Sequence, residues 1–161
     1  MVGKHLWNDG WLFLKTPVGM TFEEAAKRKE EFMPVVLPHD WLIQDSYKLY
    51  EDSMGWYSKK FEFKEKKDKK AFVIFEGVYM DSTVFVNGMK VGEWKYGFST
   101  FTLDMTDYLE QGINEIMVSA CFQSPSSRWY TGAGVYRDVW FKVTDETYLP
   151  ENAIYVNAKK Q

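Results

Sequence analysis

The dipeptide Asn87-Gly88 constrains this chain more than any other pair of its residues. A two-residue hairpin turn needs positive φ at both central positions, and Asn followed by Gly is the pair that meets this demand with least strain. On either side, Ser82 to Val86 and Met89 to Trp94 carry β-branched and aromatic side chains suited to a pleated surface, so the segment reads as a hairpin.

Further strand signals extend along the sequence. Trp11-Leu12-Phe13-Leu14 is a short apolar run stopped by Thr16-Pro17-Val18-Gly19, and Met33 to Leu37 is a second strand, closed by Pro38. In Trp56 to Phe63 the residues Tyr57, Lys59, Phe61 and Phe63 share one face, while Ser58, Lys60 and Glu62 share the other. Ala71 to Phe75, Phe101 to Leu103, Asn114 to Phe122 and Val135 to Val143 complete the set. Helix is scarce. Thr21 with Glu24 forms a capping-box pattern that predicts a short helix to about Glu31, and Asp104 to Leu109 reads as a helical turn that Gly112 ends. Between Pro38 and Met54 lies an irregular stretch, expected to be ordered by Trp41, Tyr47 and Tyr50. About eight strands with turn signals every ten residues or so predict two packed antiparallel sheets, an all-β jelly-roll β-sandwich.

At 161 residues the chain suits one domain, burying roughly 70% of the surface its unfolded form exposes. Its 18% aromatic content fits either a β-rich core or an aromatic ligand surface and does not choose between them. A net charge of -3 offers no basic field for nucleic acid, and no run of 18 apolar residues is present to cross a bilayer, so neither nucleic acid nor membrane is expected as a partner. Lys64 to Lys70 includes two acids and reads as a solvated loop. No apolar leader follows Met1, and the single Cys121 excludes an internal disulfide; both fit a cytoplasmic location.

Catalytic chemistry is hard to place. His5, His39 and Cys121 match no metal-ligand spacing, so neither a metal nor another cofactor is expected. No G-x-S-x-G elbow supports a triad through His39, which reads as a turn residue making local hydrogen bonds. The 23 acids are scattered, whereas a retaining glycosidase needs two carboxyl groups about 5 Å apart. One segment does suit a ligand. Ser126 to Trp140 runs from small residues through Arg128, Trp129 and Tyr130 to Gly132 and Gly134, then into a strand. Flat rings and a fixed guanidinium fit sugars; equally, aromatics beside a glycine turn pack corners of a core, Trp129 among them. Arg137-Asp138 is expected to pair structurally within the strand.

The run Arg128-Trp129-Tyr130-Thr131-Gly132-Ala133-Gly134-Val135-Tyr136-Arg137-Asp138-Val139-Trp140 resembles the end of the N-terminal sugar-binding domain of glycoside hydrolase family 2, the family of β-galactosidases and β-glucuronidases. Pro38-His39-Asp40-Trp41, Gly55-Trp56-Tyr57 with Phe61, and Val86-Asn87-Gly88 with Val91-Gly92 are similar to that domain's recurring phrases, in the same order. Asn8-Asp9-Gly10-Trp11 is similar to its start.

The resemblance implies a galactose-binding-like fold over residues 1–150, with 151–161 forming a linker and the first strand, Ala153 to Asn157, of an immunoglobulin-like domain. It implies a parent chain that is a retaining O-glycosyl hydrolase, most like β-galactosidase, with both catalytic glutamates in a further (β/α)8 barrel of roughly 250 residues. This chain then holds no catalytic residue and hydrolyses nothing alone. Its partners are a carbohydrate, such as a β-galactoside, and those two domains. Substrate contacts carry over to Asp52, where the β-galactosidases have asparagine, and to Ser127 and Arg128, where they have an aspartate two residues before the tryptophan. Serine and arginine favour different partners from aspartate, which points to a different sugar. A free-standing carbohydrate-binding module and a structural interface domain are the competing readings.

Overall fold

The structure is a computed structural model that describes residues 2–64, 67–125, 130–150 and 153–158. Its strands are β1 (Gly3–Leu6), β2 (Trp11–Thr16), β3 (Met33–Val35), β4 (Ser53–Phe63), β5 (Lys69–Phe75), β6 (Val78–Tyr79), β7 (Ser82–Val86), β8 (Met89–Trp94), β9 (Phe101–Asp104), β10 (Gly112–Phe122), β11 (Gly134–Val135) and β12 (Val139–Asp145). They form a six-stranded sheet in the order β3-β2-β4-β10-β7-β8, a four-stranded sheet in the order β1-β12-β5-β9, and a small β11-β6 pair. Every pairing is antiparallel, and the two large sheets make the expected β-sandwich.

The spine is the β4–β10 ladder, which runs unbroken from Gly112 opposite Phe63 to Phe122 opposite Ser53. Alternation places Tyr57 and Phe63 inward, where they meet Val73, Phe75, Val118 and Val139 from both sheets. The opposite face of the six-stranded sheet is not bare. Leu14, Trp56 and Met117 emerge there and are covered by α1 (Phe22–Lys27) through Ala25 and by Phe32. That second small core explains why Trp56, on the face away from the main core, is almost fully buried. Trp7 closes one end of the sandwich, stacked 4.9 Å from Phe141 and edge-on to Trp11 and Phe61, with the Lys59 ammonium over its ring.

The hairpin forms at Asn87-Gly88 with φ of 50° and 83°, as the turn requires. Asn87 also anchors its surroundings. Its side-chain amide donates to the Tyr108 carbonyl and to Asn114 Oδ1, while its own Oδ1 accepts from the Glu115 N–H. The capping box is present, with both reciprocal bonds between Thr21 and Glu24.

Several expectations need correction. The helix predicted to Glu31 stops at Lys27, because Arg28 leaves helical geometry, and a 3-10 turn over Lys29–Glu31 follows. Gly112 does not end the helical turn, which spans Thr106–Tyr108; its φ of 107° instead opens β10. The last two residues of the charged run are not loop: Lys69 and Lys70 begin β5, opposite Asp145 and Thr144. Val135 to Val143 is two strands, split by a bend in which Asp138 serves Asn8 and Glu76, so Asp138 does pair structurally, though outside a strand. Of the three aromatics expected to order residues 38–54, only Trp41 is buried, where it donates to Ser53 Oγ at 3.0 Å; Tyr47 and Tyr50 are exposed. β1 was not foreseen; it holds by pairing with β12 despite an exposed, polar sequence. No helix among the described residues is long and apolar enough to cross a membrane.

Candidate functional site

The antiparallel register decides where the ligand-suited loop begins. Because Ser53 lies opposite Phe122, Asp52 falls beside the residues that leave β10. Its Oδ1 accepts from the Ser124 N–H at 2.6 Å, a charge-assisted bond that fixes the entry of the loop. Asp52 is otherwise exposed.

A second carboxylate fixes the exit. Asp40 Oδ1 accepts from the Leu42 N–H and from the Ala133 N–H, both at 3.0 Å, and its Oδ2 accepts from the Tyr130 hydroxyl at 2.5 Å. The Leu42 bond closes an Asx-type turn of the kind an aspartate after a Pro-His pair readily makes. The loop therefore hangs between two aspartates, Asp52 at Ser124 and Asp40 at Tyr130 and Ala133. Ser127 and Arg128, the other two residues singled out by sequence, lie within that span but outside the described residues, as do Ser126 and Trp129.

Backbone pairing strengthens the exit. The His39 N–H donates to the Val135 carbonyl at 2.8 Å and the Trp41 N–H to the Ala133 carbonyl at 3.2 Å, while β11 pairs with β6 on its other edge. The buried Tyr57 hydroxyl sits between these segments, 2.9 Å from His39 Nδ1, and accepts from the Val135 N–H at 3.4 Å. So His39 bonds to Tyr57 on β4 as well as locally, to the Gln44 amide, and is more than the turn residue that sequence indicated. Gly134 has a φ of 116°, and a side chain there would press on the Tyr57 hydroxyl and come within 2.7 Å of the His39 carbonyl oxygen. Only glycine lets the chain pass so close.

Burial tunes these groups. It holds the Tyr57 phenol well above its ordinary range, more than offsetting the Val135 N–H bond that lowers it. The Tyr130 phenol is likewise raised, by desolvation first and by its bond to Asp40 second. Desolvation pushes the His39 imidazole below its usual value, against the opposing pull of Asp40. Each shift favours the neutral, hydrogen-bonding form of the group. Among the described residues no group of three His, Cys, Asp or Glu side chains converges to hold a metal.

Sequence reasoning singled out Asp52, and the fold brings it to the loop's first turn, at Ser124. It missed the structural parts of Asp40 and Tyr57, while the positive φ it expected of Gly132 and Gly134 is present. The signal for Asp40 was present in its position after Pro38-His39; that for Tyr57 was not, because its partner Val135 is distant in sequence.

Residues 21–144 match the family described as glycosyl hydrolases family 2, sugar binding domain. The chain is 37% identical over 134 residues to a β-galactosidase of Bacteroides ovatus, an alignment covering 74% of this chain and 16% of that protein. It is 31% identical to a putative β-glucuronidase of Formosa agariphila, over 93% of this chain and 16% of the relative. Among solved structures, a glycosyl hydrolase family 2 member from Bacteroides cellulosilyticus superposes with a TM-score of 0.79 at 32% identity, over 89% of this chain and 21% of the other. The chain thus spans about one sixth of the length of the curated relatives it matches.

Proposed function

Because this chain belongs to glycoside hydrolase family 2, as its sugar-binding domain, we propose that it is the non-catalytic part of a larger retaining glycosidase, a β-galactosidase, in which the loop after β10 helps shape the pocket for the non-reducing-end sugar. The observation that carries this reading is the two-ended anchoring of the loop by Asp52 and Asp40. Holding both ends of the segment lowers the entropy its ordering costs on binding, which suits a binding role for the residues between them. Asp52 also retains acceptor capacity: a carboxylate offers about four lone-pair sites, and Ser124 occupies one. An exposed Asp52 can therefore hold the loop and accept from a sugar hydroxyl together.

Catalysis falls to other parts of the parent chain. Relatives about six times longer leave room for an immunoglobulin-like domain and for a barrel with a pair of glutamates. That favours a domain of an enzyme over a free-standing module.

The test is made in the full-length enzyme. Arg128→Ala removes a charge-assisted bond worth roughly 1.5 to 3 kcal/mol, a ten- to hundredfold fall in kcat/KM. Asp52→Ala falls similarly, whereas Asp52→Asn, which keeps an oxygen for Ser124 and for substrate, retains most activity. Unchanged kinetics in both alanine variants contradict the pocket reading and leave a scaffold domain.

A further inference from the structure

The Asn87-Gly88 turn carries a chemical hazard as well as a fold signal. In an open chain, Asn followed by Gly is a dipeptide that deamidates readily, because glycine has no side chain to hinder attack by its own backbone nitrogen on the asparagine carboxamide. The Gly88 nitrogen bonds to Asn87 Cγ, Nδ2 leaves as ammonia, and water then opens the resulting succinimide at either carbonyl to give aspartate or isoaspartate. No electrons are exchanged, and water is the sole co-reactant.

The fold holds this carboxamide by both its polar atoms. Nδ2 donates to the Tyr108 carbonyl at 2.9 Å and to Asn114 Oδ1 at 2.8 Å, and Oδ1 accepts from the Glu115 N–H at 3.0 Å. The Asn87 N–H donates in turn to the Glu115 carbonyl at 2.9 Å, so backbone and side chain grip the same residue of β10. Both partners of Nδ2 are acceptors, which fixes the orientation of the amide. Asn114 is fixed as well. It is buried, its Oδ1 also accepts from the Glu110 N–H, and its Nδ2 donates to the Glu110 and Gly112 carbonyls. Closing the succinimide ring takes the Asn87 carboxamide out of this clamp.

We propose that Asn87 is a modification site gated by folding, spared while the hairpin is docked on β10 and deamidated once the chain opens. The product does not fit the place it left. In aspartate an oxygen replaces Nδ2 and meets the Tyr108 carbonyl and Asn114 Oδ1, acceptors with no hydrogen between them. Isoaspartate adds a backbone carbon to the turn that sets the register of β7 against β8. Deamidation thus makes a reversible opening permanent, withdrawing the modified chain from the native state.

The test compares the chain folded and the chain opened by urea, at the same mildly alkaline pH and temperature. Mass spectrometry of the tryptic fragment 71–90, in which Asn87 is the only asparagine or glutamine, reads the conversion of amide to acid. Conversion in the folded chain is expected to be at least about tenfold slower than in urea, since it waits on opening. On removal of urea, unmodified chain should return to the native pool and modified chain should stay outside it. Asn87→Asp is expected to melt below Asn87→Gly, which loses the same clamp but brings no opposing acceptor. Equal rates in the two states overturn the gate. A native pool as rich in modified chain as the urea sample, or an Asn87→Asp Tm at or above that of Asn87→Gly, overturns the misfit.

Discussion

Asp40 bonds through both carboxylate oxygens to three donors, one local and two ninety or more residues away in sequence. Replacement by alanine leaves the Ala133 and Leu42 N–H groups and the Tyr130 hydroxyl without that acceptor, at a cost of about 3 kcal/mol. For a chain of this length the expected fall in Tm is on the order of 10 °C by calorimetry, with Asp40→Asn losing about a third of that, because an amide oxygen still serves the two backbone donors. His39 gives a pH signature at the same place. Its folded imidazole titrates below the unfolded value because burial disfavours the charge. The folded state therefore binds fewer protons, so this stabilisation is fully present above about pH 6.5 and is lost as pH falls through the folded value. Urea titrations from pH 7.5 down to pH 5 should show stability falling, with a shallower fall in His39→Gln. Asp40 and His39 were legible as a recurring phrase of the family, but their partners were not. A hydrogen bond between residues 40 and 130 leaves no periodicity for sequence to reveal.

At the scale of elements, the β4–β10 ladder and β11 together set the loop's span, and most of this was readable. The alternation in Trp56 to Phe63 and the Asn87-Gly88 turn each predicted their element, because both signals are local and backbone-determined. The split between β11 and β12 was not readable. Val135, Tyr136, Val139 and Trp140 all favour strand, and what breaks the run is tertiary: Tyr136 turns to donate to the Gly97 carbonyl at 2.8 Å, and the Asp138 carboxylate accepts from the Asn8 amide at 2.8 Å. Similarly, the aromatic character of Tyr47 and Tyr50 indicated packing, while their exposure depends on how the turn is seated. Gly134 tests the close passage of β11. Gly134→Ala combines a positive φ with contact against the Tyr57 hydroxyl and the His39 backbone, and is expected to cost more than about 3 kcal/mol. An alanine variant that melts within 2 °C or so of the parent contradicts the packing described for that turn.

For the molecule as a whole, the proposed reading makes the sandwich a mount for a loop that contacts sugar, so neither hydrolysis nor tight binding is expected of this chain alone. Pure protein should give no turnover of nitrophenyl β-galactoside, β-glucuronide or β-mannoside. Calorimetric titration with galactose should give affinity on the order of millimolar, since on the proposed reading other domains contribute part of the pocket. Micromolar affinity for free galactose instead fits a free-standing module. The most direct measurement is a crystal structure of the full-length enzyme with a sugar bound at its non-reducing-end site. The account predicts Asp52 and a side chain of residues 127–128 within hydrogen-bond distance of that sugar's hydroxyls, about 2.7 to 3.2 Å. A sugar held wholly by other domains, with Asp52 and the loop out of reach and facing solvent, contradicts it.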